Sequence, residues 1–290
     1  MENNRHAYLI LAHNNWASLE RLIKFFDHPF NDIYVHVDKK ATDFDIDSFK
    51  SICKTSKIYF VNRHKVFWGS DNVAVAELEL FKAALLNGPY KYYHLLSGND
   101  LPLKPLKEIN SFFNSTDKNF IIADEESEWE HRLQIYMNVF DRTFLPKKIK
   151  TVLNRYSNSL QIKVGINRLK KLKKDFPKVT KGHQWGDFTD EAVKEIVKNE
   201  KKIRKFCRFT NCCDEMYKQI ILSNSSLADS ISGDDLRAID WSECNPHPKT
   251  YTFYDYEHLK DVSGKGKIFA RKFDESVDLR IINKIYEDIS

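Results

Sequence analysis

Two stretches of this chain combine residue types that can work on a phosphorylated substrate. Cys213-Asp214-Glu215-Met216-Tyr217-Lys218 sets two adjacent carboxylates just before the apolar run Ile220-Ile221-Leu222. With Asp214 as a helix cap accepting a backbone N–H, Glu215 falls in the first turn, where the positive end of the helix dipole favours an ionised carboxylate. Such a group on a rigid element can take the proton of an attacking hydroxyl. Further on, Phe269-Ala270-Arg271-Lys272-Phe273-Asp274 frames two cations with aromatic residues, and Lys249 follows the stiffened loop Asn245-Pro246-His247-Pro248. Fixed ammonium groups stabilise the charge that develops on a departing diphosphate where another enzyme would use Mg²⁺. A cation in partly dry surroundings is also costly unless it meets an anion. The bland readings stand beside these: Asp-Glu opens many ordinary helices, and 46 Lys and Arg supply cations by chance.

The elements that must position these residues are those of an α/β protein. Tyr8 to Ala12, Ile33 to Asp38, Ile58 to Val61 and Tyr92 to Leu96 are short apolar runs suited to buried parallel strands. Between them, Trp16, Leu19, Leu22, Ile23 and Phe26 recur at helical spacing, and Val73 to Leu86 predicts a long helix. This βαβ succession implies a doubly wound sheet, whose ligands sit outside the carboxyl ends of the strands. Asp38, Asn99 and Asp100 then face one crevice.

Composition excludes other classes. With 42% apolar and 13% aromatic residues among 290, the chain can bury a sizeable core, and a net charge of +5 is too modest for a dedicated nucleic-acid binder. No run approaches a membrane span, and the start carries no secretory signal, so the expected location is the cytoplasm. Five cysteines without CxxC spacing argue for reduced thiols rather than a disulfide framework or a zinc site. Neither a GxGxxG nor a GxxxxGK[ST] loop occurs.

From 146 to 181 the composition shifts to twelve basic residues against one acid, Asp175, with Ile149, Val152, Leu153, Tyr156, Leu160, Ile166, Leu169 and Leu172 keeping an apolar face. A solvated helical insertion packed on the domain explains this. A basic amphipathic segment in peripheral contact with an anionic membrane, at the inner face of the cell membrane, explains it too. The chain then forms one unit, with an α/β half at 1–125 and a half at 126–290 that carries this insertion and both chemistry-bearing stretches.

An ordered set of motifs carries a family resemblance. His13, Val35-His36-Val37-Asp38, Phe67-Trp68-Gly69-Ser70, Leu96-Ser97-Gly98-Asn99-Asp100-Leu101-Pro102, Gly182-His183-Gln184-Trp185, Asp214-Glu215, Asp240-Trp241, His247-Pro248-Lys249 and Phe269-Ala270-Arg271-Lys272 occur in one order. In this the chain resembles the core-2/I-branching β-1,6-N-acetylglucosaminyltransferases and the related peptide O-xylosyltransferases. The resemblance implies a GT-A-like, Rossmann-type α/β fold with a central mostly parallel sheet. It implies an inverting glycosyltransferase with a UDP-sugar as co-substrate, UDP-N-acetylglucosamine being the usual donor, and no cofactor or metal. Glu215 falls on the catalytic base, Lys249 and Lys272 on the residues that hold the donor diphosphate, and Asp38 on the uridine-side acid. His13, Trp68, Gly69 and Arg271 join the donor side by motif. Asn99, Asp100, Trp185, Asp214 and Trp241 are placed on the acceptor side. Glu128, Glu130 and Arg132 beside Trp129 are further acceptor candidates from residue chemistry, with a charged helix face as the plain alternative. The chain lacks the membrane anchor and disulfides of the animal enzymes, so it looks like a bacterial cytoplasmic relative building a surface polysaccharide on a glycan or lipid-linked glycan.

Two alternatives stay open. Asp43-Phe44-Asp45-Ile46-Asp47 and Asp234-Asp235 offer hard oxygens to a divalent metal, although alternating Asp at a helix start more simply caps and solvates it. A non-catalytic carbohydrate-binding protein would share the sheet and tryptophans but has no need of Glu215, Lys249 and Lys272 together.

Overall fold

Strands whose successive residues are all apolar must be covered on both faces, and the computed structural model, which describes residues 4–125, 129–137 and 145–290, covers them with helices. The chain runs β1 (His6–Ala12), α1 (Trp16–Phe25), β2 (Asn31–Val37), α2 (Ile46–Lys50), β3 (Lys57–Phe60), α3 (Asn72–Asn87), β4 (Tyr92–Ser97), β5 (Asp100–Pro102) and α4 (Leu106–Asn114). It continues through α5 (His131–Gln134), α6 (Lys147–Lys163), α7 (Arg168–Asp175), β6 (Gly186–Thr189), α8 (Asp190–Lys198) and α9 (Glu200–Cys207). A 3₁₀ turn (Cys213–Glu215), α10 (Tyr217–Ser223), β7 (Arg237–Ile239), α11 (Tyr256–Gly264), β8 (Phe269–Arg271) and α12 (Leu279–Ile289) complete it. The four predicted strands and the long helix α3 are present.

The main sheet has the order β3-β2-β1-β4-β6, parallel except for β6, which runs antiparallel to β4 with Tyr92 opposite Thr189. This is the expected α/β architecture with a central mostly parallel sheet. The chain leaves β1 on one side through α1 and crosses back through α3 to β4 on the other. A topological switch therefore lies between β1 and β4, and a crevice opens outside their carboxyl ends. Leu19, Leu22 and Ile23 of α1 with Ile109 and Phe113 of α4 cover one face, and Leu78, Leu80 and Phe81 of α3 with Val193, Ile196 and Ile220 cover the other. A second sheet, β5-β8-β7, pairs Asp100 with Arg271 and Arg237 with Phe269, and rests on Leu259, Ile281, Ile282 and Ile285. β5 comes from the first half of the chain and β6 from the second, so the two sheets exchange strands.

A buried polar joint locks them together. Asp187 of β6 accepts from His94 Nδ1 of β4 at 2.8 Å and from Arg237 Nη2 of β7 at 3.0 Å. Burial pushes the Asp187 carboxyl up, but Arg237 and His94 reverse this and hold it below the usual range.

The expectation of reduced thiols is corrected at one pair. Cys207, ending α9, and Cys213 form a disulfide with a Cα separation of 5.3 Å, while Cys53, Cys212 and Cys244 are free. The connecting loop turns back through left-handed backbone at Phe209 and Cys212, with φ of 61° and 50°, a reversal that Cys spacing does not reveal. The predicted basic insertion forms α6 and α7. Among the described residues no helix is long and apolar enough to cross a membrane.

Candidate active site

The crevice floor is made by the loops that follow β1, β2 and β4. The Asn99 side chain accepts from Asn15 Nδ2 at 3.1 Å and donates to Asn14 Oδ1 at 3.3 Å, while its carbonyl accepts from Phe273 N at 2.9 Å. Asn99 thus pins three loops, and lays the 271–274 segment along the crevice. Gly98 favours this closeness, since a Cβ there would sit 3.3 Å from that of Ala12 and the two strand ends would have to part slightly. Asp38, buried at the end of β2, accepts from Lys40 N and Val66 N and lies 3.4 Å from Lys40 Nζ. Partial desolvation lowers the His13 pKa, Asp38 raises it, and Lys40, Arg271 and Lys272 lower it further. These five groups share one field, so the structure brings the predicted donor-side residues His13, Asp38, Arg271 and Lys272 together.

The cations there differ in what they are free to do. Arg271 is 3.1 Å from Asp100 and its guanidinium lies 4.3 Å from the ring centroid of the buried Trp185. Arg271, Asp100 and Trp185 form an internal stack that supports the next residue. That residue is Lys272, whose side chain has no hydrogen-bond or ion-pair partner among the described residues. Lys249 lies alongside, with Tyr251 N donating to Lys272 O at 2.9 Å, but its ammonium is held 2.5 Å from Asp255 Oδ1.

Glu215 is held by cations from two other segments. Its Oε2 accepts from Arg132 Nη1 at 3.1 Å and lies 3.3 Å from Lys181 Nζ. The segment from 181 to 185 links Glu215 to Arg271: Lys181 meets Glu215, Gly182 N donates to Glu215 O at 2.9 Å, and Trp185 meets Arg271. Asp214 does not cap a helix. Residues 213–215 form a 3₁₀ turn without a side-chain cap, α10 begins at Tyr217, and Asp214 Oδ1 is buried without a partner. Burial, then Glu77 and Glu215, raise its pKa to about 7 against the pull of Lys218.

The turn is held from below by residues the sequence reading missed. Glu77 of α3, fully buried, accepts from Tyr217 OH and Lys218 Nζ, each at 2.6 Å, and from Gln184 Nε2 at 2.8 Å. Lys218 also donates to Asp214 O at 2.7 Å. The signal was available: Glu77 falls on the apolar face of α3 between Val73 and Phe81, where an acid needs a buried partner. Lys181 was counted only as part of a basic run. His183, half-buried, is held by Asp235 at 2.6 Å.

The rim carries exposed aromatic groups. Trp68 and Trp241 are exposed, Trp68 standing edge-on to His247 at 5.8 Å. Gly69, with φ of 69°, seats this loop against the base turn, its carbonyl accepting from Cys212 N at 3.0 Å. On the acceptor side, Trp129 is buried in the core and offers no stacking face, and Glu130 is bound to Lys173 at 2.9 Å. Glu128 lies outside the described residues. The Asp-x-Asp run is engaged locally: Asp45 caps α2, Asp43 accepts from Trp16 Nε1 at 2.8 Å and Asp47 pairs with Lys50. Asp235 is taken by His183 and Asp234 by Lys267.

The site combines an α/β fold with a topological switch point, a held carboxylate at Glu215 and a cluster of cations at Lys249, Arg271 and Lys272. The family model described as "Core-2/I-Branching enzyme" matches residues 6–263, and the chain belongs to that family. Similar proteins include rat xylosyltransferase 2, 24% identical over 96% of this chain. Human N-acetyllactosaminide β-1,6-N-acetylglucosaminyl-transferase is 31% identical over 36% of this chain and 26% of its own length. The chain spans 33% of the length of the xylosyltransferase 2 relative. Among solved structures, apo mouse xyloside xylosyltransferase 1 aligns over 91% of this chain and 96% of its own at 8% identity, with a TM-score of 0.40. The enzyme class expected from the sequence, a glycosyltransferase, is that of these relatives.

Proposed function

We propose that this protein is an inverting glycosyltransferase that moves a sugar from a UDP-sugar to a glycan hydroxyl without a divalent metal. Glu215 takes the proton of the acceptor hydroxyl as its oxygen attacks the anomeric carbon from the face opposite the diphosphate. The bond from that carbon to the diphosphate oxygen breaks, its electron pair leaves with UDP, and Lys272 stabilises the charge that develops. Lys249 joins it by exchanging Asp255 for a phosphate oxygen. The exposed Trp68 and Trp241 offer faces to the donor and the acceptor sugar respectively.

The observation that carries this reading is a Lys272 ammonium unpartnered among the described residues, in the same fold as a Glu215 carboxylate that Arg132 and Lys181 keep in place, the two linked through the 181–185 segment. N-acetylglucosamine is the expected sugar. The acceptor is a glycan or lipid-linked glycan of a bacterial surface polysaccharide. UDP release from UDP-N-acetylglucosamine, UDP-xylose and UDP-glucose with mixed glycan acceptors tests the reading. Release that requires an acceptor and persists in EDTA is expected. No release with any donor would leave a carbohydrate-binding protein, and EDTA inhibition restored by Mn²⁺ would replace the lysine mechanism with a metal-dependent one.

A further inference from the structure

A surface helix of a globular protein turns its apolar stripe to the core, and α6 does the reverse. Ile149, Val152, Tyr156 and Leu160 recur at steps of three and four, so they form one stripe along the helix. They are 46%, 66%, 68% and 47% exposed. Leu145 before the helix and Val164 after it are exposed as well. The face held against the protein is mostly polar (Asn154, Ser157, Asn158, Gln161), with Leu153 half-buried at its edge. Its one buried residue, Gln161, accepts from Tyr136 N at 2.8 Å and donates to Tyr136 O at 2.9 Å. Lys147, Lys148, Arg155 and Lys163 lie on the same helix, which contains no acidic residue, and none of the four has an ion-pair partner among the described residues.

We propose that α6 docks this protein on an anionic bilayer surface, with the Ile149–Leu160 stripe at the boundary of headgroups and acyl chains and the cations among lipid phosphates. An exposed apolar stripe bordered by long cations, on a helix too polar overall to span a bilayer, is the pattern of interfacial helices. Charge decides the occupant. A second copy docked through this face would set like cations against each other, whereas anionic lipid supplies the counter-charge that the helix lacks. Gln161 ties α6 to Tyr136, just beyond α5, whose Arg132 holds Glu215. If the proposed transferase reading holds, the base faces an acceptor delivered from that surface. The docking itself does not depend on that reading.

Sedimentation with vesicles tests it, using phosphatidylcholine alone and phosphatidylcholine containing phosphatidylglycerol, at low and high salt. Wild-type protein is expected to pellet with the anionic vesicles only, less so at high salt. The I149S/V152S/Y156S/L160S variant should bind them at least about tenfold more weakly. The K147Q/K148Q/R155Q/K163Q variant, which keeps the stripe, should lose roughly fivefold for each cation that reaches the surface. Circular-dichroism melts of both variants should match wild type, since the changed side chains are exposed. Absence of wild-type binding to anionic vesicles overturns the proposal, as does serine-variant binding equal to wild type. Light scattering that shows a wild-type dimer, made monomeric by the serine substitutions and without vesicle binding, overturns it in favour of self-association.

Discussion

Arg132 Nη1 lies 3.1 Å from Glu215 Oε2, although 83 residues separate the two in sequence. With Lys181 at 3.3 Å from the same oxygen, the carboxylate is fixed in direction while its side chain stays 29% exposed. A carboxyl group that is held in direction and accessible suits the removal of a proton from an acceptor.

Glu215→Gln keeps the shape and removes the proton acceptance, so turnover should fall by roughly two to four orders of magnitude with UDP affinity nearly unchanged. Arg132→Ala leaves Lys181 in place and should cost less. Initial rates beside UDP calorimetry check both, and near-normal turnover in the glutamine variant would remove Glu215 from the chemistry.

Lys272 and Lys249 should separate by what each already binds. Lys272→Ala removes a charged contact to UDP worth about 1.5–3 kcal/mol, which is a loss of affinity of about ten- to a hundredfold. Lys249→Ala should weaken UDP binding less, and should also lower the melting temperature, because Asp255 loses its partner beside the Thr252 capping box. Equal UDP affinity in Lys272→Ala and wild type would count against the diphosphate role.

The sheet was readable because β1, β2 and β4 are buried on both faces and so appear as mostly apolar runs broken only by buried polar residues such as His36 and His94. β5, β7 and β8, of three residues each, carry no periodicity, and they are ordered by pairing with distant segments. At the candidate site, residue type and motif order singled out Glu215 and Lys272, and Arg132 only as an acceptor-side residue. They could not find the salt bridge that joins Arg132 to Glu215, nor the left-handed Cys212 that turns an apparent capping Asp into a buried one. Lys249 and Arg271 were readable as cations but not as cations already paired. That distinction belongs to tertiary structure.

The joint between the sheets should be the costliest place to remove a charge. Arg237→Met leaves the Asp187 carboxylate buried with only His94, whose own pKa is lowered by burial, and should destabilise by about 3–5 kcal/mol. Adding Asp187→Asn should recover part of that loss, since no buried charge is then left unpaired. Urea unfolding of the single and double variants measures it, and strict additivity would show that the two groups do not act as a pair.

Asp214 should make stability fall as pH rises from about 4 to about 7. Its pKa is raised to about 7 by burial first and then by Glu77 and Glu215, against 3.8 for an ordinary aspartate. Between those two values the folded state holds a proton that the unfolded chain has released, so the slope of stability with pH is negative there. The full effect is present above about pH 7 and amounts to roughly 4 kcal/mol at 1.36 kcal/mol per unit. Asp214→Asn keeps a neutral polar side chain beside Lys218 and the Glu215 turn, so it should remove this slope. Its melting temperature relative to wild type should rise from pH 4 to pH 8. Subtracting the two curves cancels the histidines, whose burial-lowered pKa values at His6 and His36 act in both proteins and tilt stability the other way. A difference curve that is flat across that window would mean Asp214 stays ionised in the fold, and that Lys218 outweighs the burial and the two neighbouring carboxylates.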